Sequence, residues 1–465
     1  MLRFHDTLSR RKRPFQSLRE GAVGIYTCGP TVHDYAHIGN FRAFVWEDLL
    51  CRYLRYKGYR VTQVMNITDV DDKTIQKATD EKTSLGEVTD RFIGAFFEDL
   101  KRLGVHEADH YPRATEHIPD MESLVQSLQS KDFTYESHGS IYFRIAKFPS
   151  YGKLTRLRPE ALRSTGRGDS DSYDKQDVRD FALWKAAKPG EPAWETGIGR
   201  GRPGWHLECS AMSMRYLGET FDIHTGGVDN VFPHHENEIA QSEASTGKPF
   251  VRYWLHCAHL LVEGEKMSKS LGNFFTLRDL LAKGKDPMAI RYLLLSQHYR
   301  KPLNFTFEGL DWAAGNLQRL RDFRRRISDK ACGSGGDPVL LKAFQSIRNA
   351  FVSALDDDLN TSVALAAVFE MVREGNAACD QNRLGMEEKE EIELFLSGFQ
   401  DVFGLREEGR EEKLLEPGLA SLIEERTRAR GQGDFARADA IRMELEGKGI
   451  IIEDTQGGVR WKRKR

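Results

Sequence analysis

The sequence predicts an α/β protein built around a parallel sheet, followed by a helical bundle and a small α+β unit. Strand-like runs alternate with an amphipathic helix over residues 23–70, and the same alternation returns over residues 221–262. Beyond residue 308 the pattern becomes helical, up to a charged break at residues 405–417. These three observations predict a sheet domain, then helices, then a separate C-terminal unit.

The first strand, helix and strand follow one another directly. VGIYTC (23–28) is apolar enough for a buried strand, and FRAFVWEDLLCRYLRYKG (41–58) has apolar residues at helical spacing before a terminating glycine. YRVTQVMNITDV (59–70) is a second strand with β-branched residues. This order implies parallel pairing through a right-handed crossover, and ligands of such sheets bind beyond the carboxyl ends of the strands.

The middle of the chain interrupts this pattern. Residues 85–130 look helical, and GSIYFRI (139–145) and DFALWKA (180–186) predict short strands around a polar stretch. We interpret about residues 110–200 as an insertion into the sheet domain.

The remaining elements complete the sheet and the C-terminal parts. FDIHTGG (221–227) predicts a strand, a helix lies around 234–246, and a single strand covers 251–262. The chain ends in helices and a hairpin that turns at Gln456-Gly457-Gly458. The predicted domains are residues 1–307 with the insertion, residues 308–404 for the helices, and residues 405–465 for the last unit.

Composition and charge describe an ordinary globular chain, with 40% hydrophobic residues and a net charge of −2 over 465 residues. Nucleic-acid contacts must therefore come from local basic patches. No segment approaches the roughly 18 uninterrupted apolar residues of a membrane span, and the N-terminus has no apolar signal region. We expect a cytoplasmic protein whose six cysteines are thiols or metal ligands.

The stretch VDNVFPHHENEIAQSEAST (228–246) crowds histidines and carboxylates into one short polar helix. Helical geometry brings His234 and Glu238 onto one face, where a metal could use both. A solvated helix face would look the same. The HExxH zinc motif is excluded because Ile239 stands where it needs a histidine. Further ligands must come from elsewhere, and Cys28 and Cys209 are candidates because they lie among glycines, histidines and polar residues.

Two other short motifs predict phosphate binding. HIGN (37–40) stands where a helix begins, so its free N–H groups, its glycine and its histidine suit an anion. EKMSKS (265–270) puts two lysines on a polar loop after the last apolar strand, where they can neutralise a triphosphate. Either motif alone could be an ordinary helix start or a solvated loop. Together they are expected on one rim of one parallel sheet.

At this point the sequence resembles the class I aminoacyl-tRNA synthetases, and within them the cysteinyl-tRNA synthetase family. The motifs that carry the resemblance are YTCGPTVHDYAHIGNFRAF, MNITDVDDK, GRPGWHLECSAMS, DIHTGGVDNVFPHHENEIAQSEA, EKMSKSLGN and HYRKPLNFT. The end DFARADAIRMELEGKGIIIEDTQGGVRWKR is similar to the anticodon-binding part of that family. One position departs from the pattern: the first motif is often HIGH, whereas here Asn40 ends it. An asparagine amide can still donate to a phosphate.

The resemblance implies a Rossmann-type catalytic domain that activates L-cysteine with ATP and Mg²⁺, releases pyrophosphate, and transfers cysteine to the terminal adenosine of tRNA(Cys). It implies one Zn²⁺ per chain, held by Cys28, Cys209, His234 and Glu238, a donor set that suits tetrahedral zinc. Zinc would bind the substrate sulfur as thiolate and so separate cysteine from serine, which makes an editing domain unnecessary.

The resemblance also assigns roles around that metal. The ATP-binding residues would be His37, Gly39, Asn40, Asp229, Lys266 and Lys269, of which His37, Asn40, Lys266 and Lys269 would be catalytic. The residues that touch the amino acid would be Cys28, Thr68 and Trp205. Three alternatives stay open: Asp229 could cap a helix, Trp205 could pack in the core, and His235 could either orient a ligand or lie at the surface.

The tRNA would contact the two C-terminal domains. The helical domain would lie along the tRNA stem, where Arg319, Arg321, Arg324, Arg325 and Arg326 form a basic cluster. Trp461 among Arg460, Lys462 and Arg463 suits unpaired anticodon bases, although a frayed basic tail would look similar. We expect a monomer. The competing hypotheses are a ligase that joins cysteine to an amino sugar and a non-catalytic zinc protein that binds RNA.

Overall fold

The computed structural model describes residues 1–156, 179–268, 271–330, 336–405, 417–432, 434–448, 450–455 and 458–463. The chain forms two compact units, residues 1–405 and residues 406–465. No helix among these described residues is long and apolar enough to cross a membrane.

The helices and strands follow the predicted order closely. The strands are β1 (Arg3–Asp6), β2 (Arg11–Pro14), β3 (Ala22–Thr27), β4 (Arg60–Met65), β5 (Thr134–Ser137), β6 (Ser140–Phe143), β7 (Phe181–Ala186), β8 (Gly201–Pro203), β9 (Phe221–Gly227), β10 (Val251–Cys257), β11 (Leu260–Val262), β12 (Glu265–Lys266), β13 (Leu303–Phe305), β14 (Ile450–Thr455) and β15 (Gly458–Arg463). The helices are α1 (Ile38–Tyr56), α2 (Asp72–Glu81), α3 (Leu85–Arg102), α4 (Ile118–Ser130), α5 (Trp205–Leu217), α6 (Glu236–Thr246), α7 (Leu277–Ala282), α8 (Pro287–Ser296), α9 (Phe307–Asp329), α10 (Pro338–Asp356), α11 (Thr361–Asp380), α12 (Met386–Phe403), α13 (Pro417–Gly431) and α14 (Phe435–Gly447).

The central sheet consists of four parallel strands in the order β10-β9-β3-β4. Thr27 at the end of β3 lies opposite Met65 of β4 and Thr225 of β9. Because all four strands run the same way, the segments that follow them emerge at one edge of the sheet. The predicted α/β class and its parallel sheet are confirmed, and this edge carries the candidate site.

The single strand expected over residues 251–262 is two strands in two sheets. β10 ends at Cys257, because the N–H of Ala258 donates to the carbonyl of Tyr299 at 2.8 Å instead of continuing the ladder. β11 then pairs in parallel with β13 and antiparallel with β12 in a separate three-stranded sheet. The apolar run is continuous in sequence, so only this tertiary contact reveals the break.

The helical stretch expected over residues 85–130 is also interrupted. α3 ends at Arg102, and the chain then runs extended beside β4, where the N–H of Met65 donates to the carbonyl of His110 at 3.0 Å. α4 begins only at Ile118. The second half of the predicted insertion is an antiparallel sheet in the order β5-β6-β7-β8. β6 and β7 are the two predicted short strands, whereas β5 and β8 were not predicted. Most of the polar stretch between β6 and β7 lies outside the described residues.

Helices α9 to α12 share one hydrophobic core with the sheet domain. Polar side chains join the two regions as well: Tyr53 on α1 donates to Asp356 at 2.8 Å, and Arg291 on α8 donates to the carbonyl of Phe403 at 2.6 Å. Arg291 also pairs with the buried carboxylate of Asp48 on α1. The first 405 residues are therefore one packed body, in which a boundary near residue 307 stays a prediction.

The second unit contains α13, α14 and the β14–β15 hairpin. Ile441, Leu445 and Ile452 form its small buried core. The pairing of Thr455 with Gly458 confirms the predicted hairpin, although two residues of its turn lie outside the described part of the chain.

Candidate active site

The candidate site lies at the carboxyl edge of the central sheet. Cys28 directly follows β3, and its backbone N–H donates to the carbonyl of Thr225 in β9 at 3.3 Å. Cys209 lies one turn into α5. His234 lies in a wide helical turn over Val231–His235, and Glu238 lies in the first turn of α6, which follows directly. Residues more than 180 positions apart in sequence therefore meet because strand ends and helix starts share this edge.

A compact set of potential metal donors occupies the centre of the site. One ligand atom each from Cys28, His234, His235 and Glu238 can be chosen so that all four lie within 4.8 Å of one another. The side chains of Cys209, His234, His235 and Glu238 are at most 2% exposed. The solvated-face alternative for this helix is therefore excluded, since these groups touch protein rather than water.

Cys209 is the fourth zinc ligand that the sequence predicts. It does not belong to the group of Cys28, His234, His235 and Glu238, whose donor atoms lie within 4.8 Å of one another. Its thiol lies near the side chains of Cys28 and His234. Burial opposes the ionisation of Cys209, but the neighbouring Cys28 and the nearby imidazole of His234 outweigh it and lower the pKa of Cys209 to about 6. Burial and the neighbouring Cys209 instead raise the pKa of Cys28 well above its usual value. This lowering favours the thiolate form of Cys209, which is the form that binds a metal.

His234 and Glu238 form an ion pair beside these thiols. Nε2 of His234 lies 3.0 Å from Oε1 of Glu238. Burial opposes charge on both. The charges of Glu238 and Cys209 nevertheless raise the pKa of His234 to about 10, and the imidazoles of His224 and His234 lower the pKa of Glu238 to about 2. Oε1 of Glu238 is buried and makes no hydrogen bond of acceptable geometry. A metal ion bound here would pair with this oxygen in place of the His234 proton, which His234 would have to lose to become a ligand.

Three further histidines that the sequence analysis missed surround the donors. His224 on β9 contacts Oε2 of Glu238 at 2.8 Å, and His206 on α5 contacts His234 at 2.8 Å. His256 on β10 contacts His235 at 2.8 Å, and Nε2 of His235 lies 3.2 Å from the sulfur of Cys28. His235 is therefore buried beside the donors, which excludes the surface alternative.

Burial favours the neutral form of two of these histidines, His235 and His256. Desolvation, with the neighbouring His224 and the charge of Arg10, lowers the pKa of His256 to about 3. Desolvation and four neighbouring imidazoles lower the pKa of His235 well below its usual value. A sequence signal existed, because His224 and His256 each interrupt an otherwise buried strand, where a histidine needs a polar partner.

The HIGN motif forms the start of α1 as predicted. Nδ1 of His37 accepts from the N–H of Asn40 at 3.1 Å, and Oδ1 of Asn40 accepts from the N–H of His37 at 3.1 Å. The asparagine oxygen is thus used in this reciprocal cap, which leaves its amide N–H₂ as the group that can face a phosphate.

The two motifs predicted to bind phosphate lie in contact, although EKMSKS begins at β12 of the separate three-stranded sheet and not after a strand of the parallel sheet, as we expected. A Cβ atom at Gly39 would lie 3.0 Å from both the His37 ring and the methyl group of Met267, so only glycine permits this approach without a shift. The N–H of Ile38 also donates to the carbonyl of Phe275 at 3.0 Å. These contacts join the start of α1 to the segment from β12 to α7, which begins with the EKMSKS motif and which we call the lysine-bearing loop.

The lysine-bearing loop is closed by its own asparagine. Oδ1 of Asn273 accepts from the N–H of Ser268 at 2.8 Å, and Nδ2 of Asn273 donates to the carbonyl of Lys266 at 3.3 Å. The side chain of Lys266 is exposed. Lys269 lies outside the described residues, so its role stays a prediction.

The three predicted substrate-side residues differ in their surroundings. The hydroxyl of Thr68 is buried and donates to Glu208 at 2.8 Å. The ring of Trp205 is 38% exposed and stacks on His234 with centroids 4.3 Å apart, so it does not pack in the core. Asp229 is exposed, and its carboxylate folds back against Gly227, where a Cβ atom would lie 2.3 Å away. The following helical turn has no side-chain cap, so Asp229 does not cap it.

Glu47 on α1 is a buried acid near Cys28. It faces Thr225, the residue whose carbonyl accepts from Cys28. Burial raises the pKa of Glu47 to about 8, and the nearby hydroxyl of Thr225 offsets this only in part. Glu47 is therefore mostly protonated at neutral pH.

The arginine cluster on α9 is already engaged within the chain. Its contacts are Arg319 with Asn316, Arg321 with Asp286, Arg324 with Gln400, Arg325 with Asp322, and Arg326 with Asp380. A phosphate would have to compete with these partners. Trp461, Arg460, Lys462 and Arg463 all lie on β15.

Comparisons with known proteins agree with this geometry. The family described as tRNA synthetases class I (C) catalytic domain matches residues 14–315. The DALR domain matches residues 350–407, and the cysteinyl-tRNA ligase anticodon binding domain matches residues 413–461. The cysteine–tRNA ligase of Solibacter usitatus is 50% identical over 464 residues, which cover 100% of both chains. The chain belongs to the cysteine–tRNA ligase family.

Other relatives carry the same name. Those of Koribacter versatilis and Leptospira interrogans are 46% and 47% identical, and the matches cover 100% of this chain and 100% and 99% of theirs. The resemblance seen in the sequence is thus confirmed: the chain is a class I aminoacyl-tRNA synthetase of the cysteine–tRNA ligase type.

The fold extends to more distant solved structures. Methionyl-tRNA synthetase of Mycobacterium tuberculosis, bound by methionyl-adenylate, superposes with a TM-score of 0.61 at 14% identity. The superposition covers 82% of this chain and 92% of that one. At this identity the likeness concerns the fold alone.

Proposed function

We propose that the site joins L-cysteine to tRNA(Cys) in two steps and selects cysteine by a single zinc ion bound to Cys28, Cys209, His234 and Glu238. The observation that carries the zinc proposal is the buried cluster of thiol, imidazole and carboxylate donors at the carboxyl edge of the sheet. These donor types suit tetrahedral Zn²⁺, and the unsatisfied oxygen of Glu238 and the low pKa of Cys209 fit a cation there.

Two four-donor sets are possible because Cys209 and His235 both lie beside the three common donors. We favour Cys209, since its lowered pKa supplies a thiolate. His235 instead bonds through Nδ1 to His256 and lies against the ring of Trp254, with centroids 5.1 Å apart. In this proposal His235 and His224 orient the ligands, as outer partners of metal sites generally do.

When bound, zinc would supply a thiophilic Lewis acid that keeps the substrate sulfur deprotonated at neutral pH. Serine offers a hydroxyl with far weaker affinity for such a cation. Trp205, which stacks on His234 at the open side, would cover the bound amino acid, and Thr68 would support the pocket through Glu208. Discrimination then occurs on binding, and no editing site is needed.

Activation would require no protein nucleophile, because the cysteine carboxylate attacks the α-phosphorus of ATP and pyrophosphate leaves. His37, Gly39 and Asn40 at the start of α1 would hold the phosphates of ATP·Mg²⁺ on one side, and Lys266 and Lys269 would approach from the other. Asp229 would accept from the ribose or from the amino group of cysteine. Catalysis would rest on positioning and on charge at the phosphates.

The second step would transfer the cysteinyl group to the terminal adenosine of the tRNA. The C-terminal unit, with Trp461 on β15, would read the anticodon. We place the enzyme in the cytoplasm as a monomer. Its partners are then cysteine, ATP and tRNA(Cys).

The test uses the purified full chain with labelled pyrophosphate and labelled cysteine. Cysteine-dependent exchange of pyrophosphate into ATP is expected, together with transfer of cysteine to tRNA(Cys) and one zinc per chain. No exchange would instead support a non-catalytic zinc protein. Transfer to an amino sugar but not to tRNA would support the small-molecule ligase.

A further inference from the structure

Glu236, the first residue of α6, is wholly buried but faces away from the metal donors. Its carboxylate accepts from three backbone N–H groups of one short segment. Oε1 lies 2.9 Å from the N–H of Gly152, and Oε2 lies 3.1 Å and 2.9 Å from those of Leu154 and Thr155. A carboxylate with three N–H donors is strongly fixed in place, because each charge-assisted bond would be costly to lose in a buried setting.

The rest of the same helix face contacts the same segment. The hydroxyl of Tyr151 donates to Oδ1 of Asn237 at 2.5 Å, and Lys153 pairs with Glu243. We call residues 151–155 the docking segment. The crowding of acids in this stretch thus has two causes: Glu238 belongs to the metal donors, whereas Glu236 and Glu243 hold the docking segment.

The two carboxylates of the first turn point in nearly opposite directions. Glu236 and Glu238 are two residues apart, which on an α-helix is a rotation of about 200° around the axis. α6 is therefore held on one side by the metal donors and on the other by the docking segment. A side-chain cap does not help to fix the start of α6, because no side chain caps this helix.

We propose that Glu236 is a positioning residue for the metal site. By accepting the three N–H groups of the docking segment, it fixes the rotation of α6 about its axis and so the direction in which His234 and Glu238 present their donor atoms. This inference rests on the proposed zinc site. It assigns a role in the metal site to a residue that is not itself a ligand. The docking segment, which belongs to the predicted insertion, would hold that residue in place.

The test compares Glu236→Gln with Glu243→Gln in the full chain. Glutamine at 236 keeps one acceptor oxygen but turns an N–H₂ toward backbone donors, so the amides of residues 152–155 should exchange faster. The zinc dissociation constant, measured by competition with a chromophoric chelator, should rise on the order of 10-fold. With Co²⁺ as probe, the thiolate charge-transfer band should shift.

Glu243→Gln is the matched control, because it removes the Lys153 ion pair from the same interface. Its amide oxygen can still accept from the N–H of Phe250, as Oε1 of Glu243 does at 3.2 Å. Its zinc affinity and cobalt spectrum should match those of the wild type. Glu236→Asp, which keeps the charge but shortens the reach, should fall between wild type and Glu236→Gln.

Three outcomes would overturn the inference. Unchanged zinc affinity and cobalt spectrum in Glu236→Gln, with faster exchange at residues 152–155, would separate the docking segment from the metal site. An equal loss of zinc affinity in Glu236→Gln and Glu243→Gln would show that any loosening of the contact between α6 and the docking segment weakens the metal site. Should Glu236→Gln fail to fold, wild-type affinity in Glu236→Asp would count against the proposal. Absence of zinc binding by the wild type would instead refute the proposed function.

Discussion

The cluster of potential metal donors and the two motifs predicted to bind phosphate differ in how their side chains are fixed. Cys209, His234 and Glu238 are buried, and His234 contacts Glu238 at 3.0 Å, whereas Asn40 and Lys266 are exposed. Burying charged donors is tolerable only when each is paired, so the cluster demands a set of partners in fixed positions. The phosphate motifs are instead positioned through their backbones, by the contacts between α1 and the lysine-bearing loop.

This difference predicts different failures in the two regions. A substitution in the cluster should remove the metal along with activity, because its members depend on one another. A substitution at the rim should slow the reaction while metal content and cysteine binding persist. The following predictions use that distinction, from the largest effect to the smallest.

Cys209→Ser should abolish zinc binding and lower cysteine activation at least about 1,000-fold, because the thiolate ligand is lost. His235→Gln should retain zinc and lose less activity, since it removes an orienting group. Metal analysis and pyrophosphate exchange on both variants provide the measurement. Loss of zinc from His235→Gln with zinc retained by Cys209→Ser would assign the fourth ligand to His235.

Lys266→Ala should lower kcat for adenylate formation by roughly 100-fold, because a cation near the departing pyrophosphate is removed. Zinc content and the KM for cysteine should stay unchanged. The exposed Lys283, at the end of α7, supplies the control, and Lys283→Ala should leave exchange unaffected. If Lys266→Ala also lost its zinc, the two regions would not be independent.

Asn40→Asp should raise the KM for ATP about 10-fold with little loss of stability. Aspartate keeps the oxygen that caps the N–H of His37, but it replaces the amide donor with a negative charge. Asn40→Ala should weaken ATP binding too and, in addition, destabilise the start of α1 by about 1 kcal/mol. Steady-state kinetics and thermal unfolding separate the two effects. Equal ATP binding by wild type and Asn40→Asp would show that the amide does not face a phosphate.

Glu47→Gln should have the smallest effect on turnover and a clear effect on the pH dependence of stability. The pKa of Glu47 is raised to about 8 in the folded chain, so between pH 4.5 and pH 8 the folded state retains a proton that the unfolded state releases. This proton destabilises the wild type progressively as pH rises through that window. Glu47→Gln cannot titrate at this position, so its stability lacks this dependence on pH.

Urea unfolding of wild type and Glu47→Gln at pH 5 and pH 9 measures this difference. The free energy of unfolding of the variant, relative to wild type, should increase by up to roughly 4 kcal/mol between the two pH values. A constant difference would mean that Glu47 is ionised at neutral pH in the folded state.

The helix start at HIGN and the carboxyl edge of the sheet were easier to predict from the sequence than the surroundings of the metal donors. HIGN and KMSKS can be recognised in the sequence because each is a short contiguous stretch whose conformation depends on neighbouring residues. The structure brings Gly39 of the first against Met267 of the second. The role of His224 and His256 depends on which strands are neighbours, as in the pairing of His256 with Gly226. The residue pattern within one β-strand does not reveal which strands lie beside it in the sheet.

The two fold errors have the same origin. The apolar run 251–262 satisfies strand patterning throughout, and its division follows from the hydrogen bond between Ala258 and Tyr299, 41 positions apart. Likewise the extended segment before α4 follows from pairing with β4. Local propensity favours one state, and tertiary contacts select another.

The central claim is that a thiophilic ion in the buried cluster selects the amino acid by its sulfur. The most direct test measures pyrophosphate exchange with cysteine and with serine, before and after complete removal of zinc by a chelator and after its restoration. The account predicts strong exchange with cysteine only, loss of that exchange without zinc, and recovery when zinc returns. Comparable exchange with serine, or undiminished cysteine exchange by the metal-free enzyme, would contradict it.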